Sequence, residues 1–225
     1  IHPIVGYAIK GCIWYQGESN YERPDQYELL FPAMVKRWRD LWQQGDFPFY
    51  YAQIAPYNYA QLPPFLVGGK YNSAYLRDAQ RKSLVKIPNS EMVSLMDIGE
   101  ENCIHPSNKK AGGERLAYIA LAQTYHMKGF GWACPTYDTV EIANGSAIVK
   151  FKNASLGLTS FGNQLKTFEI AGADKVFYPA QAAIIGNTVV LTSPLVKMPA
   201  AVRYGFKDFI VGDLFSKEGL AVGSF

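Results

Sequence analysis

The sequence predicts an α/β protein: a parallel sheet with helices on both faces, followed by a small all-β, sandwich-like region. Three observations carry that expectation. Over the first 130 residues, apolar runs of strand length alternate with segments whose apolar residues recur at three- and four-residue steps, the pattern of strands joined by helices. Polar clusters fall at or after the ends of the strand-like runs, at residues 16–20, at Gln53 and at residues 97–105, where open parallel sheets bind their ligands. After about Phe130 the helical period disappears, and Gly, Asn, Asp and Pro punctuate short β-like runs.

Taken in order, residues 8–15 are an apolar run of strand length. Residues 24–44 bring Tyr27, Leu30, Phe31, Met34, Val35, Trp38, Leu41 and Trp42 onto one helical face, and Pro24 suits its first turn. Pro32 should kink that helix or split it. A second strand follows at residues 48–54, then a loop rich in Pro, Tyr, Asn and Gly at 56–72. Residues 73–85 read as a helix with Ser73 as a candidate N-cap, 91–96 as a third strand, and 107–126 as a third helix capped by Ser107 or Asn108. Beyond it, β-like runs stand at 140–151, 165–170, 182–191 and 201–206, with Gly186-Asn187 as a hairpin turn. The expected division is therefore an α/β part at 1–130 and an all-β part at 131–225.

A chain of 225 residues that is 48% hydrophobic and 18% charged has ample material for a core. Its formal charge of +3 is small and its basic residues are scattered, so nucleic acid is not an expected partner. Three cysteines without CxxC or Cys/His spacing make a zinc site improbable. No apolar run reaches membrane-spanning length. The opening Ile1-His2-Pro3 has no initiator Met, so the sequence reads as a segment of a longer chain. A first strand buried inside a parallel sheet would also need a neighbour on its other flank.

Serine-based ester hydrolysis needs a hydroxyl, a base and donors aimed at the developing oxyanion. Three histidines are available as base. His126 follows a helix and reads as a solvated residue. His2 stands at the start of the chain. His105 stands in GEENCIHPSNKK, a loop between a strand and a helix, with Pro106 favouring extended geometry at His105. Ser19 is a candidate nucleophile, but the elbow pattern G-x-S-x-G fails because Tyr21 stands where the second Gly belongs. Alternatively Gln16, Gly17, Glu18, Ser19 and Asn20 serve a serine elsewhere, or merely fill a turn. Asp97 either orients His105 or bonds loop amides. Gln53, Arg77 and Gln80 are candidate substrate-binding residues; Arg77 and Gln80, one turn apart, either brace the site or form a surface pair. Arg115 reads as helix surface.

The stretches YAIKGCIWYQGESN, FPFYYAQIAPY, LRDAQ and CIHPSNKKAGGERLA together resemble the sialate O-acetylesterase family of SGNH-type hydrolases. The likeness continues through TFEIAGADKVFYPAQA, AVRYGF and GDLFSKEGLAVGSF. It implies a flavodoxin-like sheet and an esterase that removes O-acetyl groups from sialic acid or other acetylated glycans, without metal or cofactor. The family's nucleophile lies in a GQSN-type motif near the start of its domain, and GQSN is absent from this sequence. By resemblance, therefore, the nucleophile lies outside the chain, in a missing N-terminal half of the same domain. His105 matches the family's base. Gln16 is the first candidate for the oxyanion donor and Asn20 the second, with Ser19 in support. SGNH hydrolases often place an Asp three residues before the His, where this sequence has Asn102. Either Asp97 or Glu18 supplies the third member, or a backbone carbonyl holds the His in a dyad. The family's glycan substrates imply an extracytoplasmic location. Two rival readings are a non-catalytic carbohydrate-binding protein, using the β region and the tyrosine-rich loop, and a serine hydrolase that uses Ser19.

Overall fold

The structure, a computed structural model, describes residues 1–62 and 72–225. Strand β1 (Cys12–Trp14) leads through a one-turn 3-10 helix to α1 (Pro24–Trp42), which returns to β2 (Phe49–Ala52). Helix α2 (Ala74–Ser83) connects β2 to β3 (Ser90–Val93), and α3 (Lys109–Ile119) follows. The three strands form one parallel sheet in the order β1-β2-β3. Alternation along β2 separates its two faces. Phe49 and Tyr51 pack with Tyr27, Phe31 and Val35 of α1 and Leu76 and Ala79 of α2. Tyr50 and Ala52 pack on the other side with Leu116 and Ile119 of α3. Helices thus cover both faces.

Several local expectations need correction. The first strand is three residues long rather than eight, and Ile13 is 63% exposed. Helix α1 runs unbroken through Pro32. The proline removes one hydrogen bond on a half-buried face, while buried Tyr27, Phe31 and Val35 hold the helix to the sheet. Leu30 turns out to lie off that face, 56% exposed. Ser73 stands at the N-cap of α2 as expected, but its side chain makes no capping hydrogen bond. Asn72 Oδ1 accepts from the Ala74 amide and Asp208 Oδ1 from the Ser73 amide, at 2.9 and 2.7 Å. Asn108, not Ser107, caps α3, its Oδ1 accepting from the Ala111 amide. The third helix ends as a π turn at Ala120–Thr124. Of the expected loop at 56–72, residues 63–71 lie outside the described residues.

From residue 131 onward the described elements are all strands: β4 (Thr136–Ala143), β5 (Ser146–Lys152), β6 (Leu158–Thr159), β7 (Phe168–Ala171), β8 (Phe177–Pro179), β9 (Gln181–Ile185), β10 (Thr188–Thr192), β11 (Ala201–Tyr204) and β12 (Phe215–Ser216). They form antiparallel sheets of order β4-β5-β10-β9, β11-β7-β8 and β12-β6. The fold is mixed α/β, one parallel sheet beside several antiparallel ones. Asn144 and Gly145 turn the β4–β5 hairpin with φ of 50° and 73°, the paired positive values that a two-residue turn of this kind requires. Val149, Val189, Leu191, Phe168 and Ile170 from two of the sheets share one core.

The last residues tie the two parts together. Val222 and Ser224 are fully buried. Val222 O accepts from Ser94 Oγ after β3, and the Ser224 amide donates to Gln53 Oε1 after β2. The C-terminal segment thus caps the ends of two parallel strands with main-chain hydrogen bonds.

Candidate active site

Three loops leave the C-terminal ends of the parallel strands. The first begins at Tyr15 and carries the 16–20 cluster. Gly17 has φ of 147°, and a Cβ there would stand 3.0 Å from Gln80 Nε2 and 3.2 Å from Ile54 Cγ2, so the turn needs glycine. That close approach lets Gln80 hold the loop. Gln80 Oε1 accepts from the Ile54 amide at 2.9 Å, while its Nε2 donates to Gln16 O at 3.2 Å. The Tyr27 hydroxyl donates to the same carbonyl at 3.3 Å. The Gln16 side chain, half-buried, donates from Nε2 to Asn20 Oδ1 at 2.8 Å. Glu18, Ser19 and Asn20 form a single 3-10 turn with Ser19 exposed.

The second and third loops are pinned to each other. The Asn58 amide donates to Glu101 O, and Gln61 Nε2 donates to Asn102 Oδ1 at 2.9 Å. Gly99 permits their contact, because a Cβ there would fall 2.3 Å from Pro56 O. In the third loop Glu100 Oε1 takes both the amide and the hydroxyl of Ser107 at 2.6 Å, fixing the turn around His105. His105 itself is exposed over a buried Pro106. Its ring makes no hydrogen bond to any described residue; its carbonyl accepts from Cys103 Sγ.

A cation–π contact joins the first loop to the start of α3, just past the third: Lys109 Nζ lies 4.8 Å from the Tyr15 ring centroid. Burial, and next the adjacent Glu18 carboxylate, hold the Tyr15 hydroxyl above its ordinary value. The same two causes act on Tyr59, whose buried hydroxyl has no hydrogen-bond partner among the described residues. Through Tyr15 and Lys109 the polar cluster and the segment that follows His105 share one edge of the sheet.

Other candidates are placed elsewhere. Asp97 gives both carboxylate oxygens to Arg115, at 2.7 and 2.6 Å, and not to His105. Arg115, expected on the helix surface, is 7% exposed and also donates to Ser94 O. Asp97 thus clamps α3 to the end of β3. Gln53, Arg77 and Gln80 are no more than 1% exposed, so direct contact with substrate is closed to them, and Arg77 and Gln80 are no surface pair. Gln53 Nε2 donates to Arg77 O and Ser224 O. Arg77 donates to Gly205 O and Lys207 O from the β11 end and to Ser73 Oγ. Burial lowers its guanidinium to about 10, still protonated at neutral pH. These three residues form a bonded layer beneath the loops.

Sequence reasoning missed the Tyr15–Lys109 bridge, Asp208 and the Asp97–Arg115 clamp. A signal for the last was available, since Arg115 precedes Leu116 and stands four residues before Ile119, the apolar face of α3. Among the described residues no three His, Cys, Asp or Glu side chains group as metal ligands do, and no helix is long and apolar enough to cross a membrane.

A family model described as carbohydrate esterase, sialic acid-specific acetylesterase, matches residues 2–122. The chain is 27% identical over 190 residues to the sialate O-acetylesterase of Mus musculus, covering 76% of this chain and 34% of that protein. With the sialate O-acetylesterase of Rattus norvegicus it shares 30% identity over 155 residues, covering 63% of this chain and 28% of the other. The crystal structure of a carbohydrate acetylesterase from Xanthomonas citri superposes with a TM-score of 0.89 at 33% identity, over all of this chain and 52% of that one. The chain thus spans about a third of the length of the curated relatives it matches.

Proposed function

Because the chain belongs to the carbohydrate esterase, sialic acid-specific acetylesterase family, we propose that it forms the His105-bearing part of an esterase that removes O-acetyl groups from sugars, sialic acid or acetylated glycans. The observation that carries the reading is the meeting of the 16–20 cluster and the His105 loop on one sheet edge, joined by Lys109 and Tyr15. Both are parts of a site that is incomplete without a nucleophile. Ser19 is exposed and its hydroxyl makes no hydrogen bond to His105. We place the attacking serine outside these residues, in an upstream half of the same domain. The exposed β1 edge, with Ile13 uncovered, fits a further strand there. In this reading residues 1–130 belong to a flavodoxin-like α/β domain with helices on both faces. Residues 131–225 form an all-β, sandwich-like domain, and the substrate is met outside the cytoplasm.

The serine hydroxyl attacks the acetyl carbonyl while His105 takes its proton. The tetrahedral oxyanion receives a hydrogen bond from Gln16 Nε2, which keeps one N–H beyond that given to Asn20. Collapse expels the sugar alkoxide, which His105 protonates, and leaves an acetyl-enzyme. Water, deprotonated by His105, then attacks the acetyl carbon; acetate leaves and the serine recovers its proton. With Asp97 committed to Arg115 and Asn102 holding the loop, His105 works without a carboxylate of its own from the described residues, as the base of a dyad. Gly17, Glu18 and Ser19 shape the turn that presents Gln16 and Asn20.

Acetate release from an acetyl ester tests this, measured for the 225-residue chain and for the same chain extended to the length of its relatives, each with Ser19→Ala and His105→Ala. The expected result is His105-dependent, Ser19-independent activity in the extended protein alone. Activity of the short chain that Ser19→Ala abolishes would make Ser19 the nucleophile and overturn the reading.

A further inference from the structure

A cavity of about 340 Å³ lies on the seam between α2 and the antiparallel sheets, outside the His105 edge. Its helical wall follows from spacing: Tyr75, Asp78 and Arg81 stand three apart on α2 and share a face. Opposite stand Tyr137 of β4, Phe177 of β8, Arg203 of β11 and Phe206 just beyond it. The Arg203 guanidinium lies near two rings, 4.0 Å from the Phe177 centroid and 5.5 Å from that of Phe206. Arg81 lies 5.4 Å from the Tyr137 ring, and Tyr75 meets Phe206 edge-on at 5.0 Å. Each arginine already has a carboxylate: Arg81 pairs with Asp78 at 2.7 Å and Arg203 with Glu169 at 2.7 Å.

Such a wall is selective in a definite way. Both guanidiniums already hold a carboxylate, although Asp78 is shared with Lys82 at 2.8 Å, so neither arginine stands as an unpaired cation for an anion. The pairs still present guanidinium donors beside carboxylate acceptors, which suits the adjacent hydroxyls of a sugar. Tyr75 is 51% exposed and the other rings are half-buried, so aromatic faces and edges remain open to the apolar C–H surface of a pyranose ring. The volume falls within the range of small-molecule sites. The floor is rigid, because Asn72 Nδ2 donates to Phe206 O and Arg77 binds Gly205 O beside it. We propose that this seam is a second glycan site that takes a neutral pyranose unit, separate from the deacetylating edge and independent of its chemistry.

The test is calorimetric titration of the 225-residue chain with unacetylated xylohexaose, cellohexaose and mannohexaose, and with hexagalacturonate as an acidic control. Saturable binding of at least one neutral oligomer is expected. Tyr75→Ala should weaken it about tenfold, and Arg203→Lys, which keeps the charge but loses the planar stacked donor, should do likewise. His105→Ala should leave it unchanged. Melting curves for the two seam variants establish that the fold is retained, and either folded variant suffices. Absence of binding to every neutral oligomer, tighter binding of the acidic one, or binding indifferent to both variants would each overturn the proposal. Since binding is read without turnover, failure here leaves the esterase reading untouched, and the converse also holds.

Discussion

Gln16 and Gln53 each follow a strand of the same parallel sheet, yet the protein treats them in opposite ways. Gln53 is fully buried, and its amide is used by Arg77 O, Ser224 O and the Ser224 amide, all within 2.9 Å. Gln16 is half-buried, and its side chain has one short bond, to Asn20, with only a 3.5 Å approach from Tyr27 to its oxygen. The difference separates groups that hold a site from groups that can act in it. A saturated buried amide stabilises, because leaving any of its partners unpaired costs free energy. An amide with spare donor capacity at the edge of solvent can turn toward a charge that develops later. Arg77 and His105 repeat the contrast, one enclosed by main-chain carbonyls and the other exposed, its ring bonded to no described residue.

The contrast makes four predictions. The largest effect belongs to His105→Ala in the extended protein: acetate release should fall by roughly 10²–10⁴-fold, the loss typical of a general base, with the melting temperature little changed. Arg77→Met should do the reverse, costing about 3–5 kcal/mol because the main-chain acceptors of Arg77 lose their partner and the cavity is poorly refilled. That is roughly a 6–20 °C drop in Tm for a chain of this size, followed by circular dichroism. If Arg77→Met leaves Tm intact, the buried layer is not what holds the loops. Gln16→Ala should lower kcat by roughly 10²–10³-fold while KM and Tm barely move. An equal loss through KM would make Gln16 a substrate contact and remove it from the oxyanion site.

The smallest effect sharpens the structural side through pH. Burial raises the Glu91 carboxyl of β3 above its ordinary value. A carboxyl raised on folding favours the native state while protonated, below its ordinary value near 4.5, and loses that contribution as pH rises through the raised value. Glu91→Gln should therefore melt roughly 1–3 °C higher than the parent at pH 7, with the gain gone by about pH 3.5. A constant difference across that range would show that burial of Glu91 is not the cause.

Much of the fold was legible because periodicity is local. Tyr27, Phe31 and Val35 announced α1, and the loss of that period after Phe130 announced the strands. Proline propensity misjudged α1, since the burial of that face outweighs one missing hydrogen bond at Pro32. The WYQGESN and IHPSNK stretches come together at one sheet edge, but their spacing could not say which polar residues meet. Asp97 was a reasonable partner for His105 by its place after β3, and it went instead to Arg115, eighteen residues on.

The sequence by itself determined the alternation of strands and helices, the change to β structure, and the two polar stretches that follow apolar runs. All of these follow from residues close together along the chain. Only the tertiary structure decided that Gln53, Arg77 and Gln80 lie buried beneath the loops, that Asp208 binds the amide of Ser73, 135 residues earlier, at the start of a helix, and that the C-terminal segment closes the strand ends. Those outcomes depend on which buried donor finds which acceptor across the core. Any of several partners satisfies the same polar group equally well on paper, and the packing of the two parts selects one.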